Sequence, residues 1–90
     1  MAKAHVDPEE LRRFAKDLNH FITEIESQFG RLRTKLHQLE QTWNDQEQRK
    51  FRAEFDMSIK TLSRFLELSK EYVPFLRQKA GHIEDYLGKR

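Results

Sequence analysis

Four histidines are the side chains of this chain that titrate near neutral pH, so they are the first candidates for acid–base or metal chemistry. They are His5, His20, His37 and His82. None of them stands at a recognisable metal-ligand or catalytic-triad spacing from another histidine or a carboxylate. We therefore interpret the histidines as solvated surface residues.

Two carboxylates offer a second candidate site. Glu67 and Glu71 stand four residues apart, a spacing that two metal ligands on one helix face can use, but no Glu-x-x-His companion accompanies them. The chain also has no cysteine, no glycine-rich phosphate loop and no serine in a strand-to-helix turn. The sequence therefore predicts a non-enzymatic protein with no catalytic residues, no cofactor and no metal.

The charge distribution argues against a nucleic-acid partner. Seventeen Lys and Arg residues stand against fifteen Asp and Glu residues, and the two signs alternate along the chain. The cluster of Arg49, Lys50 and Arg52 is surrounded by acidic residues, so its local field is close to neutral.

We also expect no membrane span, because no run approaches the roughly 20 apolar residues that one requires. Residues 1–6 lack the apolar segment of a general secretory signal.

The elements that carry these side chains follow from the spacing of the apolar residues. Two interleaved series of apolar residues, each recurring every seven positions, run through each of two long stretches. This pattern is typical of helices that pack against each other along an apolar seam. The d-type series comprises Leu11, Leu18, Ile25, Leu32 and Leu39, then Phe55, Leu62, Ser69, Leu76 and Ile83. The a-type series comprises Ala15, Ile22, Phe29, Leu36 and Trp43, then Ile59, Leu66, Val73, Ala80 and Leu87.

Helix boundaries are indicated by local residues. Asp7 is placed to cap a helix that has Pro8 at its first position, while Asn44 and Asp45 interrupt the pattern. Both of these types accept left-handed backbone and can cap a helix, so a tight reversal belongs there. Pro74 predicts a kink near it, or a split into two helices.

The predicted fold is all-α: a single domain over 1–90, built as an antiparallel two-helix hairpin. The helices span about 8–42 and about 47–87, with the turn at about 43–46. At about 1.5 Å rise per residue, the hairpin is a rod roughly 50 to 60 Å long.

The two flanks of the seam differ in polarity. In the seven-residue repeat labelled a to g, the e and g positions border the seam on opposite sides. The e positions are all polar, and we call their side the polar flank; they include Arg12, Glu26, Lys70 and Glu84. The g positions on the other side include several aromatic residues. We predict an exposed patch near the open end of the hairpin, the aromatic patch, which a second hairpin covers in a four-helix bundle. Its members are Phe14, Phe21, Phe65, Leu68, Tyr72 and Phe75. The alternative is that this flank only widens the hairpin's own core.

Length, layout and one tryptophan carry a family resemblance. The chain has 90 residues, a Val-Asp-Pro-Glu-Glu-Leu opening at 6–11, two amphipathic helices and Trp43 at the bend. It resembles the WXG-motif family, the early-secreted-antigen-like helical hairpins of type VII secretion. The turn motif would be Trp43, Asn44 and Asp45, where Asp45 replaces the family's glycine, so the chain resembles a divergent member.

The resemblance implies a secretion substrate, or a co-secreted partner of a larger effector, that works as a homodimer or heterodimer recognised by the secretion machinery. It implies a cytoplasmic protein that is then exported without a signal peptide. Family members often carry a Tyr followed four residues later by Asp or Glu as an export signal, whereas Tyr86 is followed by Arg90. A partner, a longer native chain or another export route would account for this difference. An intracellular structural or adaptor coiled-coil hairpin remains the alternative.

Overall fold

The computed structural model describes residues 6–88 and folds them into two antiparallel helices, α1 (Pro8–Leu39) and α2 (Gln46–Tyr86), joined by residues 40–45. The molecule is a rod whose principal extents are 64 × 24 × 17 Å. The predicted all-α hairpin is therefore confirmed. Within residues 6–88, neither helix is long and apolar enough to cross a membrane. His5 and Arg90 lie outside the described residues.

Each helix begins at an aspartate that caps it. The Asp7 carboxylate accepts a hydrogen bond from the Glu9 N–H at 2.9 Å, and Pro8 occupies the first turn. The Asp45 carboxylate accepts one from the Gln48 N–H, also at 2.9 Å. Both side chains satisfy N–H groups that have no carbonyl partner inside the helix.

The connection is longer than the sequence indicated, because α1 ends at Leu39 instead of about residue 42. The chain then makes a final tight turn, in which the N–H groups of Thr42 and Trp43 donate to the Leu39 carbonyl. Among residues 6–88, no residue other than glycine has a positive φ. The left-handed conformation open to Asn44 and Asp45 is therefore not used, and Asp45 is extended instead.

Helix α2 continues through Pro74 as one element, so the expected alternative of a split into two helices is wrong. Proline has no N–H, which leaves the Lys70 carbonyl without its helical donor. Both residues are exposed, so water can take the place of that donor.

The buried core lies between the helices and consists of a-type residues. Ala15, Ile22, Leu66 and Val73 form one cluster and are at most 5% exposed. Partly buried residues pack around the cluster, and most of them belong to the d-type series: Leu18, Ile25, Phe29 and Leu76. The a-type direction therefore points at the partner helix, and the d-type direction points to one side of it.

Ion pairs between the helices close the polar flank. Near the open end, the Arg12 guanidinium donates to both oxygens of the Glu84 carboxylate, at 2.7 and 2.6 Å. Halfway along the rod, Lys70 Nζ lies 2.7 Å from Glu26 Oε2. The hydrogen bonds to Glu84 and to Glu26 raise the pKa values of Arg12 and Lys70, respectively. The charges of this flank are thus largely used within the hairpin.

Candidate interaction surface

The six residues of the aromatic patch are all exposed. Their exposed fractions lie between 48% for Phe21 and 57% for Phe14 and Tyr72. The rings of Tyr72 and Phe75 pack edge to face with centroids 6.1 Å apart. Side chains that are half exposed do not belong to the interior of the hairpin, so these observations weigh against the alternative of a widened core.

Helix geometry explains why these side chains share one side of the rod. Phe14 and Phe21 are seven residues apart on α1, so they point the same way two turns apart. On α2, residues 65, 68, 72 and 75 follow spacings of three and four, which place them on one face. Both sets lie on the side of the seam away from the polar flank.

Sequence reasoning missed a second apolar patch in the half of the rod near the turn. Leu32, Leu39 and Leu62 were expected in the seam between the helices, yet they are 49%, 48% and 47% exposed. The reason is geometric: a d-type side chain points about 60° away from the a-type direction, which faces the partner helix most directly. With Phe51, which is 44% exposed, we call these residues the leucine patch. The aromatic and leucine patches together form the apolar face.

The turn end carries a row of three rings. Trp43 is half-buried and its ring centroid lies 5.9 Å from that of Phe51, which lies 5.9 Å from that of Phe55. Phe51 belongs to the leucine patch, so this row connects the predicted turn motif to the apolar face. Of that motif, Trp43 contributes packing and Asp45 contributes the helix cap.

A polar cluster holds the turn on the other side. The Glu40 carboxylate accepts hydrogen bonds from Arg52 and from the side-chain amide of Gln48, each at 2.6 Å. The bond from Arg52 lowers the pKa of Glu40 most, and the bond from Gln48 adds to this effect. Gln48 is only 5% exposed. These contacts tie the end of α1 to the first two turns of α2.

The candidates for chemistry that lie within residues 6–88 are on the surface. His20 lies 3.7 Å from Glu24 and His37 lies 3.9 Å from Glu40, with both imidazoles about three-quarters exposed. Glu67 contacts Lys70 at 3.2 Å. Among the described residues, no group of three His, Cys, Asp or Glu side chains is placed to hold a metal ion.

The described residues thus define a class of fold: an elongated helical hairpin with one ion-paired flank and one exposed apolar face. The chain belongs to the WXG100 family, because the family model described as "Proteins of 100 residues with WXG" matches residues 3–86. Among curated protein sequences, none is significantly similar to it.

Solved structures of one secreted protein are similar to this hairpin. Crystal structures of wild-type and selenomethionine-labelled EsxB from Bacillus anthracis str. Sterne superpose with TM-scores of 0.76 and 0.77. The wild type is 30% identical, with 93% of this chain and 97% of that chain covered. The labelled protein is 29% identical, with 96% and 98% covered. The chain is therefore a helical hairpin related to type VII secretion.

Proposed function

We propose that this chain is a non-enzymatic type VII secretion protein, either a substrate or a co-secreted partner, that acts by pairing with a second helical hairpin. The two hairpins form a four-helix bundle through the apolar face, and the secretion machinery or a larger effector recognises the pair. The single observation that carries the proposal is the exposure of this face along the whole rod.

The size of the apolar face supports pairing. Ten aromatic and leucine side chains are each about half exposed, which corresponds to on the order of 900 Å² of apolar surface per hairpin. The largest apolar patch on a soluble monomer is usually about 300–600 Å². Two such faces together would bury on the order of 1,800 Å², within the range of specific protein–protein interfaces. The two helices of residues 6–88 include no third layer that could cover this surface.

Export is the second part of the proposal, and it is supported by family membership and by the likeness to a secreted protein. We propose that the chain is cytoplasmic before it leaves the cell by a route that needs no signal peptide. Arg90 stands where the family's acidic residue is expected, so a partner or effector, a longer native chain or another export route would have to account for that part of the export signal.

The pairing can be tested by sedimentation velocity at micromolar concentrations. We expect the wild type to sediment as a dimer, alone or with a co-expressed hairpin. Phe21→Glu and Tyr72→Glu each place a charge in the buried interface and should give monomers with unchanged helical circular dichroism. Asn19→Glu is the matched control, because it adds the same charge to the polar flank two residues from Phe21. If the two interface variants pair as well as the control, the apolar face is not the interface.

The export can be tested in a host that carries a type VII system. The chain should appear in the medium in the presence of the membrane-bound secretion ATPase and stay in the cells when that ATPase is deleted. A chain that stays inside in both strains, while still pairing, would favour the alternative of an intracellular adaptor.

A further inference from the structure

The carboxylates of the polar flank are all engaged, because three of its cations each hold two of them. The b positions lie on the same side as the e positions, one helical turn away, so the flank includes both sets. Within residues 6–88, each carboxylate of this flank lies at most 3.2 Å from a cation. We call the three clusters the bridged groups: Glu9 and Glu84 on Arg12, Glu26 and Glu67 on Lys70, and Glu40 and Asp56 on Arg52. Two carboxylates on one cation leave each bridged group with a net negative charge.

Other cations of this flank have no acidic partner. Arg49 donates a hydrogen bond to the Asn44 carbonyl. The remaining cations at the e and b positions are Lys16, Arg33, Lys60 and Arg77. They are exposed, and within the described part of the chain they form no ion pair. Among residues 6–88, the unpaired charge of the polar flank is therefore basic.

The register of the hairpin gathers two of these cations in the open half of the rod. The ion pair of Glu26 with Lys70 shows which e positions lie at the same height. Seven residues from this pair towards the open end, Arg77 lies at the height of the uncharged Asn19. Lys16 is one helical turn from Asn19 on the same side of α1. Arg77 and Lys16 thus form one basic cluster, the open spot.

A second basic cluster in the turn half is built in the same way. Seven residues from the same ion pair towards the turn, Arg33 lies at the height of the uncharged Ser63. Lys60 is one helical turn from Ser63 on the same side of α2. Arg33 and Lys60 form the turn spot. The two arginines are two seven-residue repeats apart along the rod, which corresponds to about 21 Å at about 1.5 Å rise per residue.

We infer that the polar flank binds an acidic helix of a third protein, whose carboxylates contact the open spot and the turn spot. Residues fourteen apart on a helix are nearly four turns apart, so they share one face and are separated by the same distance of about 21 Å. The inference rests on the proposed function in one respect. The flank lies opposite the apolar face, so it stays accessible when a second hairpin covers that face.

The bridged groups determine which kind of anionic partner fits. From the open end to the turn, bridged groups and basic spots follow one another in steps of seven residues, so the sign of the charge changes about every 10 Å. A DNA duplex carries a charge about every 1.7 Å, so the bridged groups would repel it. They would repel a uniformly anionic bilayer for the same reason. A helix can instead carry acidic residues at the required spacing with neutral or basic residues between them.

The side chains of the flank favour the same kind of partner. Within residues 6–88, no e or b position carries an exposed large apolar side chain. The flank therefore offers no ring on which a nucleic-acid base could stack and no apolar side chain that could enter a bilayer. Ion pairs with another protein require neither.

Two synthetic peptides of identical composition test the inference. Both are fluorescein-labelled, alanine-based helices with two pairs of glutamates on one face. The pairs are fourteen residues apart in the spaced peptide and seven apart in the close peptide, which sets one pair against a bridged group. We expect the full chain to bind the spaced peptide on the order of tenfold more tightly in fluorescence anisotropy at low salt, with a smaller difference at high salt.

Charge reversal identifies the spots. Arg33→Glu and Arg77→Glu should each weaken binding of the spaced peptide about fivefold, because each makes one spot repulsive. The double variant should lose the preference for the spaced peptide. Lys50→Glu is the matched control, because it makes the same change in charge at an exposed position on the outer side of α2. It should keep the preference unchanged. Arg33→Lys should also keep it, because the positive charge is retained.

Several outcomes would overturn the inference. One is equal affinity of the wild type for the two peptides, and another is an equal loss in Lys50→Glu and Arg33→Glu. A 20-base-pair DNA duplex and phosphatidylglycerol vesicles serve as comparison ligands. If the double variant loses binding to either of them while the wild type shows no preference between the peptides, the flank binds a polyanion and no acidic helix.

Sedimentation of the same samples separates this inference from the proposed function. A chain that pairs through the apolar face but does not distinguish the two peptides retains the proposed function and overturns the inference. A chain that pairs with no hairpin and still prefers the spaced peptide overturns the proposed function alone.

Discussion

The core cluster gives the sharpest stability prediction, which concerns Ile22→Ala. Ile22 is 2% exposed and packs with Ala15, Leu66 and Val73 at the centre of the rod. The substitution removes three carbons, and at about 0.8 kcal/mol per buried methylene the lost transfer free energy is about 2.4 kcal/mol. The remaining cavity adds to this loss, and the better helix propensity of alanine offsets a few tenths, so we expect about 3 kcal/mol. A domain of this size has a total stability on the order of 5 to 13 kcal/mol.

The assay is urea denaturation followed by circular dichroism at 222 nm. It should be performed in the Phe21→Glu background, where pairing no longer contributes to stability. Leu32→Ala is the matched comparison, because it also removes three carbons but from a side chain that is 49% exposed. It should cost about 1 kcal/mol in this background and more where the apolar face is covered. Equal losses for the two variants, or a loss below about 1 kcal/mol for Ile22→Ala, would refute this assignment of the core.

Three further substitutions test the helix ends, the proline and the turn. Asp45→Ala should destabilise the hairpin by about 1 kcal/mol in urea denaturation because it removes the cap of α2, and Asp45→Asn should retain most of that stability. Pro74→Ala restores a donor to the Lys70 carbonyl and should raise the melting temperature; a lower one would show that the helix requires a bend there. The bond from Arg52 lowers the pKa of Glu40, so the bond stabilises the fold above the usual carboxylate pKa of about 4.3 and this contribution is lost as the pH falls. Glu40→Gln should accordingly be less stable than wild type at pH 7 and should approach it below about pH 4.

The hairpin could be predicted because several local signals agree. The seven-residue repeat identifies two long helices, the aspartates at 7 and 45 mark where they begin, and the interruption between the repeats leaves room only for a reversal. The end of α1 was less predictable. The Thr42 N–H bonds to the Leu39 carbonyl three residues back, as in a tighter turn, while the Trp43 N–H bonds to the same carbonyl at the helical spacing of four. A repeat of apolar residues does not distinguish such a turn from a helix.

The leucine patch could not be predicted because the a-type and d-type residues give the same sequence signal. Which series faces the partner helix depends on how the two helices are rotated about their axes. In this structure that rotation is fixed by contacts far apart in the sequence, such as the pair of Arg12 with Glu84 and the close packing around Ala15. Leu32 and Leu62 therefore look like core residues in the sequence although they are half exposed.

The difference between the two flanks also bears on how large an assembly the chain can form. The ion pairs of Glu26 with Lys70 and of Glu40 with Arg52 satisfy charges on one flank and leave little apolar surface there. Within residues 6–88 the apolar face lies on the opposite side, and the proposed pairing, if it is two-fold, would use this face completely in both copies. Such an assembly closes at two hairpins and cannot extend into a fibre. We therefore expect the apparent mass in solution to reach a plateau at the dimer as the protein concentration rises. A second exposed apolar face would instead make the apparent mass increase without limit.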